Sequence, residues 1–350
     1  MRQARMTKAA ALLLAGGLAL SACASDEESG DTGSGSAGDE LKIGLAYDEA
    51  GRGDKSFNDS AYAGVQAAIE EFDGTVQEAS PNEDGSNRAE LLSNLAEQGY
   101  NPVIAVGFAY DEVIGEVAPD FPDTVFAQVD GSNSDGAKGD NVTGLLFAEE
   151  QGSFLAGVAA AIKSGTGQIG FVGGVQSPLI EKFQAGYEAG AKAAKPEIVI
   201  NSEYISPAGD FSGFSDPAKG QIVAQSMFDA GADIVYHAAG GSGTGVFQAA
   251  AASGGRAIGV DSDQYETVED PALQAVIMTS MLKRVDNAVE AFIGDYVGGD
   301  VEGGTDVVND LSTDGVALAT TGGFIDDIQE QIDDYRQQII DGDIEVPTSP

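Results

Sequence analysis

The chain has 350 residues, 42% of them hydrophobic, with 48 glycines and a formal net charge of −40. That length suits two hydrophobic cores better than one, and the charge excludes nucleic acid and an anionic membrane surface as direct partners, since both would be repelled. One Cys and one His exclude an internal disulfide and leave no Cys/His set for a metal centre.

Residues 1–22 read as a secretory signal. Arg2, Arg5 and Lys8 form a basic start and Ala9–Leu20 an apolar run, too short for a stable transmembrane anchor. The run ends in Leu20-Ser21-Ala22-Cys23, which resembles the lipobox of bacterial lipoproteins and marks Cys23 as the lipidation site. Residues 23–39 then form a lipidated tether, because 24–39 contains no large apolar side chain. A flexible stretch of this length spans on the order of 20–24 Å. The expected location is the extracytoplasmic face of the cell membrane, held by the lipid.

From Leu41 short β-like runs alternate with helical ones. LKIGLAY (41–47) precedes a glycine-rich turn, Asp48–Phe57, and an amphipathic helix, Ser60–Phe72, with Tyr62, Val65, Ala68, Ile69 and Phe72 on one face. Strands follow at 74–79, 102–106, 124–129 and 142–147, with helices at 86–98, 110–118 and 151–163. The second half repeats the scheme, with strands at 168–172, 198–204, 233–236 and 256–260 and helices at 179–194, 217–230 and 245–252. Alternation of this kind predicts parallel sheets covered on both faces, in two doubly wound domains. Four pieces are left over: 275–280, a helix at 281–296, a β-like segment at 307–319 and a helix at 325–340.

Ligands of doubly wound sheets bind beyond the carboxyl ends of the strands. The residues there are Tyr47–Asp48, Gly107–Phe108, Asp130–Gly131, Gly173–Gly174, His237–Gly245 and Asp261–Asp263. Each aspartate is either the cap of the following helix or part of a shared site, and Asp48, Asp130 and Asp261 occupy equivalent positions. The run Gly240–Gly245 is neither GxGxxG nor a P-loop, so close backbone approach to a neutral ligand competes with a phosphate cradle. Phe57, Phe211 and Phe214 lie in polar loops, either plugging them from beneath or offering a ring face to a planar ligand. His237 is either a packed structural group or a catalytic one.

The segments DKSFNDSAY (54–62), VDG (129–131), LFAEEQGSFLAGVAAA (146–161), FSDPAKGQ (214–221), VYHAAGGSGTG (235–245), IGVDSDQ (258–264) and TSMLKRVDNAV (279–289) together resemble the basic membrane protein family, lipoproteins of the PnrA type that bind purine nucleosides for ABC importers. The resemblance covers residues 41 to about 340. It implies an α/β chain with the type I periplasmic-binding-protein fold, in which two doubly wound parallel-sheet domains are joined by a three-segment hinge: 40–147 plus 281–312 in the N-terminal lobe, 148–280 plus 313–350 in the C-terminal lobe. It further implies that Phe57 and Phe214 stack on the base, with Phe211 the alternative to Phe214. Asn58 and Asp48 then bond the base edge, the amide offering both a donor and an acceptor. Asp130, Asp261 and Lys283 hold the ribose, with Asp263 the alternative to Asp261, and the Gly240 backbone touches the sugar. The implied partners are an adenosine-, guanosine- or inosine-type nucleoside, ABC permease subunits, and the membrane through the lipid anchor, for a monomer without cofactor or metal. An enzyme is not expected, because neither 48–54 nor 261–270 fits the DxDxxxDD calcium motif of a nucleoside hydrolase. The competing reading is a protein of the same fold that binds a sugar or signalling molecule for a sensor.

Overall fold

The computed structural model describes residues 40–49 and 51–350. The signal, Cys23 and the tether lie outside the described residues.

The chain opens with β1 (Leu41–Ala46), α1 (Phe57–Phe72), β2 (Gly74–Ala79), α2 (Arg88–Glu97), β3 (Val103–Val106), α3 (Asp111–Val117), β4 (Phe126–Val129) and β5 (Val142–Phe147). It continues with α4 (Glu149–Lys163), β6 (Gln168–Val175), α5 (Pro178–Ala194), β7 (Val199–Ser206), α6 (Pro217–Asp229), β8 (Ile234–Ala238), α7 (Gly243–Ser253), β9 (Arg256–Asp261), the single turns α8 (Gln264–Thr267) and α9 (Pro271–Gln274), and β10 (Ile277–Lys283). It ends with α10 (Val285–Gly298), β11 (Thr305–Asn309), β12 (Val316–Leu318) and α11 (Gln329–Ile340).

The strands form two six-stranded sheets, ordered β11-β5-β4-β3-β1-β2 and β12-β10-β9-β8-β6-β7. All pairs are parallel except β10 with β12. The two sheets are wound alike, with the first strand of each between the second and third. Central strands such as β3 and β8 are buried throughout, whereas the edge strands β2 and β7 alternate, as sheets covered on both faces require.

Helix starts are written locally. Ser177 and Asp216 accept from the amides of Ile180 and Lys219, with Pro178 and Pro217 at the first helical positions. The chain passes between sheets at Ala148, at Arg284 and over 310–315. These passages lie side by side: Ala148 N donates to Asn309 O at 2.9 Å and Arg284 N to Gly315 O at 2.9 Å.

Two expectations need correction. The helix expected from Met281 starts at Val285, because Met281–Lys283 belongs to β10 and pairs with Val316–Leu318; the passage therefore falls after Lys283, not at 281. The β-like segment 307–319 is two strands in different sheets.

Helices α4 and α5 meet at backbone contact. A Cβ on Gly157 would overlap the Tyr187 carbonyl oxygen, and one on Gly190 the Phe154 carbonyl oxygen. Gly157→Val should therefore separate the helices and cost about 3 kcal/mol, read as a lower urea midpoint at unchanged slope.

Candidate functional site

A cavity of about 580 Å³, counted out to its mouth and including open solvent, lies between the carboxyl ends of the two sheets. Asp48, Phe57, Asn58 and Asp130 line it from the first sheet's side. Phe214, Gly240, Asp261 and Lys283 line it from the second. These eight expected site residues thus line one space, at the ends of β1, β4, β8, β9 and β10, at the start of α1 and in the turn before α6.

The turn before α1 is built on Asp54. Its carboxylate accepts from the amides of Ser56 (3.0 Å), Asn58 (2.8 Å) and Asp59 (3.2 Å), capping the helix that carries Phe57 and Asn58. Burial pushes the Asp54 carboxyl up to about 7, against these donors. Asn58 is 3% exposed, and its Nδ2 donates to Asp48 Oδ1 at 2.8 Å. The same oxygen accepts from the Glu49 amide at 2.6 Å, so the orientation of the Asn58 amide is fixed. Asn58 Oδ1 is left buried without a partner. The amide thus keeps an open acceptor, while Nδ2 spends one of its two hydrogens on Asp48. Burial raises the Asp48 carboxyl, with Asn58 and the Glu49 amide opposing.

Asp130 and Asp261 end equivalent strands, β4 and β9, and both adopt left-handed backbone, at φ 63° and 64°. Aspartate tolerates this conformation better than most residues, but it still carries strain. Asp130 lies against Lys283 Nζ at 2.6 and 2.7 Å. Lys283 is 1% exposed, also faces Glu149 at 3.0 Å, and sits 5.0–5.6 Å from the ring centres of Phe57, Phe147 and Phe183. Burial opposes its charge, but Asp130, Glu149 and Asp261 outweigh it and hold its pKa above the usual lysine range. For Asp130 burial pushes upward and Lys283 pulls back. Asp261 is likewise raised by burial, with Lys283 and Ser56 opposing.

The rings are arranged more broadly than expected. Phe214 lines the cavity and Phe211 does not. A Cβ on Gly174 would overlap the Phe214 ring, so that glycine makes its seat. Phe211 instead packs on Phe108 at 5.3 Å and under Arg88 at 5.2 Å. Phe108 lines the cavity and meets Phe214 edge-on at 6.3 Å. Asp263 is outside the lining and accepts from Thr321 Oγ1 at 2.7–2.8 Å. His237 is fully buried against Gly243 at the start of α7, with neither ring nitrogen hydrogen-bonded.

Sequence reasoning missed Phe108, Phe183, Asp54 and Glu149. Phe108 and Asp54 had signals, a strand end and the DKSFN motif. Phe183 looks like an ordinary core position of α5, and Glu149 like an acid in a helix's first turn.

Residues 41–350 match the family model described as ABC transporter substrate-binding protein PnrA-like. The chain belongs to this family. Its members are substrate-binding proteins rather than a class of enzymes. It is 34% identical to the ABC transporter nucleoside-binding protein BmpA of Lactococcus lactis, over 98% of this chain and 99% of that one. It is also 34% identical, over the full length of both, to the CD4+ T-cell-stimulating antigen of Listeria innocua. A solved ABC-transporter solute-binding protein from Aeropyrum pernix superposes with a TM-score of 0.75 at 27% identity, covering 88% of this chain and 93% of that one. The fold is the type I periplasmic-binding-protein fold expected from the sequence. Among the described residues no helix is long and apolar enough to cross a membrane.

Two measurements test these electrostatics. Lys283→Met strands Asp130 and Glu149 as buried, unpaired acids and should cost about 3–5 kcal/mol in urea unfolding, with Lys283→Arg milder. His237 should make the protein acid-sensitive. Burial pushes its imidazole down to about 3 from 6.5, so below 6.5 the unfolded chain takes a proton that the native one refuses. Stability is then lost as pH falls from 6.5 towards 3, by about 2 kcal/mol at pH 5. His237→Leu should lack this loss, whatever its stability at pH 7.5.

Proposed function

We propose that the cleft captures a purine nucleoside and delivers it to an ABC permease. The base lies against Phe57 and Phe214, and an N–H on its edge donates to Asn58 Oδ1 beside Asp48. The ribose diol donates to Asp130 and Asp261, Lys283 favours the charged form of both acids against the effect of burial, and the Gly240 backbone approaches the sugar. The signal at 1–22 and a lipid on Cys23 keep the protein, a monomer, on the extracytoplasmic face of the membrane.

The observation that carries this reading is the pairing, in one cavity, of aromatic faces and an unpaired amide acceptor with two buried strand-end carboxylates. An aromatic face takes a base, with stacking worth roughly 1–3 kcal/mol. Buried carboxylates take hydroxyl donors, at about 1.5–3 kcal/mol for each charged bond. The 34% identity to a protein named as nucleoside-binding points the same way.

The lining also supplies a filter. Asp48, Glu49, Asp54, Asp130 and Asp261 stand against Lys283, so a phosphate entering with the sugar meets an excess of negative charge. The expected result of a calorimetric panel is binding of adenosine or guanosine and at least tenfold weaker binding of the monophosphates. Phe57→Ala should weaken nucleoside binding by roughly tenfold, from the loss of one stacking face, without changing the melting cooperativity. Monophosphates binding as tightly as nucleosides would refute the reading.

A further inference from the structure

Lys55 and Ser56 precede α1 and belong to the first sheet's side, yet they bond mainly to the second. Lys55 has φ 57°, a strained left-handed value for a long side chain. That conformation turns its carbonyl toward Gln264 Nε2, which donates at 3.1 Å, and Thr267 Oγ1, which donates at 3.4 Å. Ser56 is fully buried. Its hydroxyl donates to Asp261 Oδ2, and its carbonyl accepts from Ser262 Oγ at 3.0 Å. The exposed pair Lys55–Glu269, at 3.8 Å, adds little.

Gln264 is prepared for this contact. It is 2% exposed and fixed within its own lobe: its backbone N–H donates to Ser280 Oγ at 3.1 Å and its Oε1 accepts from the Val260 amide at 2.9 Å. Only its Nε2 reaches across. Val260 precedes Asp261, so one side chain both braces the strand end that bears Asp261 and grips the opposite lobe. Ser56 does the reciprocal work: it adjoins Phe57 and Asn58 in the cavity wall and occupies one of the two Asp261 oxygens, leaving the other for an occupant.

We infer that Ser56 and Gln264 are positioning residues, a clasp between the lobes that orients the Asp261 carboxylate onto the ligand and sets how long the ligand stays. Parting the lobes breaks every one of these bonds and returns their atoms to water. Closing brings Asp261 toward Asp48, whose charge opposes its own, and the Ser56 hydroxyl offsets part of that repulsion. The clasp therefore acts on release more than on capture. The inference rests on reading the cleft as a nucleoside site closed by lobe motion.

The test compares the full chain with Ser56→Ala and Gln264→Glu. The second keeps the acceptor for Val260 and turns the cross-lobe donor into a group that repels the Lys55 carbonyl. With adenosine and guanosine as probes in surface plasmon resonance, each change should raise koff by about tenfold and leave kon within about twofold. The thermal midpoint of the empty protein should be unchanged. An unchanged koff, or an empty protein destabilised as much as the loaded one, overturns the clasp and leaves a structural contact. Wild-type protein that binds neither nucleoside overturns the nucleoside reading. The clasp, which acts on a bound nucleoside, falls with it.

Discussion

The buried ammonium of Lys283 is the constraint on which the rest of the molecule depends. It ends β10, where the chain leaves the second sheet, and is held by Asp130 of the first sheet's side and by Glu149, the first residue after the passage at Ala148. One cation thus ties two of the three passages to the cavity wall. Its removal from water is costly and is repaid only if both acids and the surrounding rings are in place. Passages and cavity chemistry are therefore a single construction. A substitution at Lys283, Asp130 or Glu149 alone leaves an unbalanced charge in the interior, whereas an apolar replacement would have to change all three together.

Around that cation the two halves are near copies. Val129-Asp130 and Val260-Asp261 close the fourth strand of each half with the same left-handed turn. Identical winding places both strand ends at the cavity, so the pair of carboxylates follows from repetition of one local device. Two features break the symmetry. Lys283 takes Asp130 while Ser56 takes Asp261, and the last strand is parallel in one sheet and antiparallel in the other. On the proposed reading the two acids are then not equivalent towards a ligand, since each starts from a different set of bonds.

The sheets were legible because buried strands and amphipathic helices leave distinct periods in the sequence. The stretch from Met281 was misread because Met281, Val285, Ala288, Val289 and Phe292 continue a helical period without a break. Pairing with β9 and β12 overrides it for the first three residues, and the third of these is Lys283, the one lining cation among the described residues. Asp48, Asp130 and Asp261 were visible as strand-end acids. Phe57, Phe214 and Lys283 became interpretable through resemblance, since no local pattern says that a loop ring faces a cavity rather than plugs it. Glu149 and Phe183 were hidden for a different reason. Each obeys the ordinary rule of its helix, an acid in the first turn and an apolar side chain on the inner face, and its second role depends on what lies opposite in three dimensions.

On the proposed reading, the cavity also gives an occupant a part in keeping the lobes together. Closed, it encloses carboxylates that burial pushes toward neutrality and an Asn58 oxygen with no donor. On that reading, parting the lobes returns these acceptors to water. On the same reading, closure without a guest leaves the Asn58 oxygen unsatisfied, at about 1–3 kcal/mol for a buried acceptor left alone. A ligand rich in N–H and O–H donors removes that penalty in the closed form and has little comparable effect in the open one. Such differential interaction is what allows a ligand to shift a conformational equilibrium. An apolar molecule of the same size would fill the space and leave the acceptors unmatched, so selectivity and closure draw on the same set of buried oxygens.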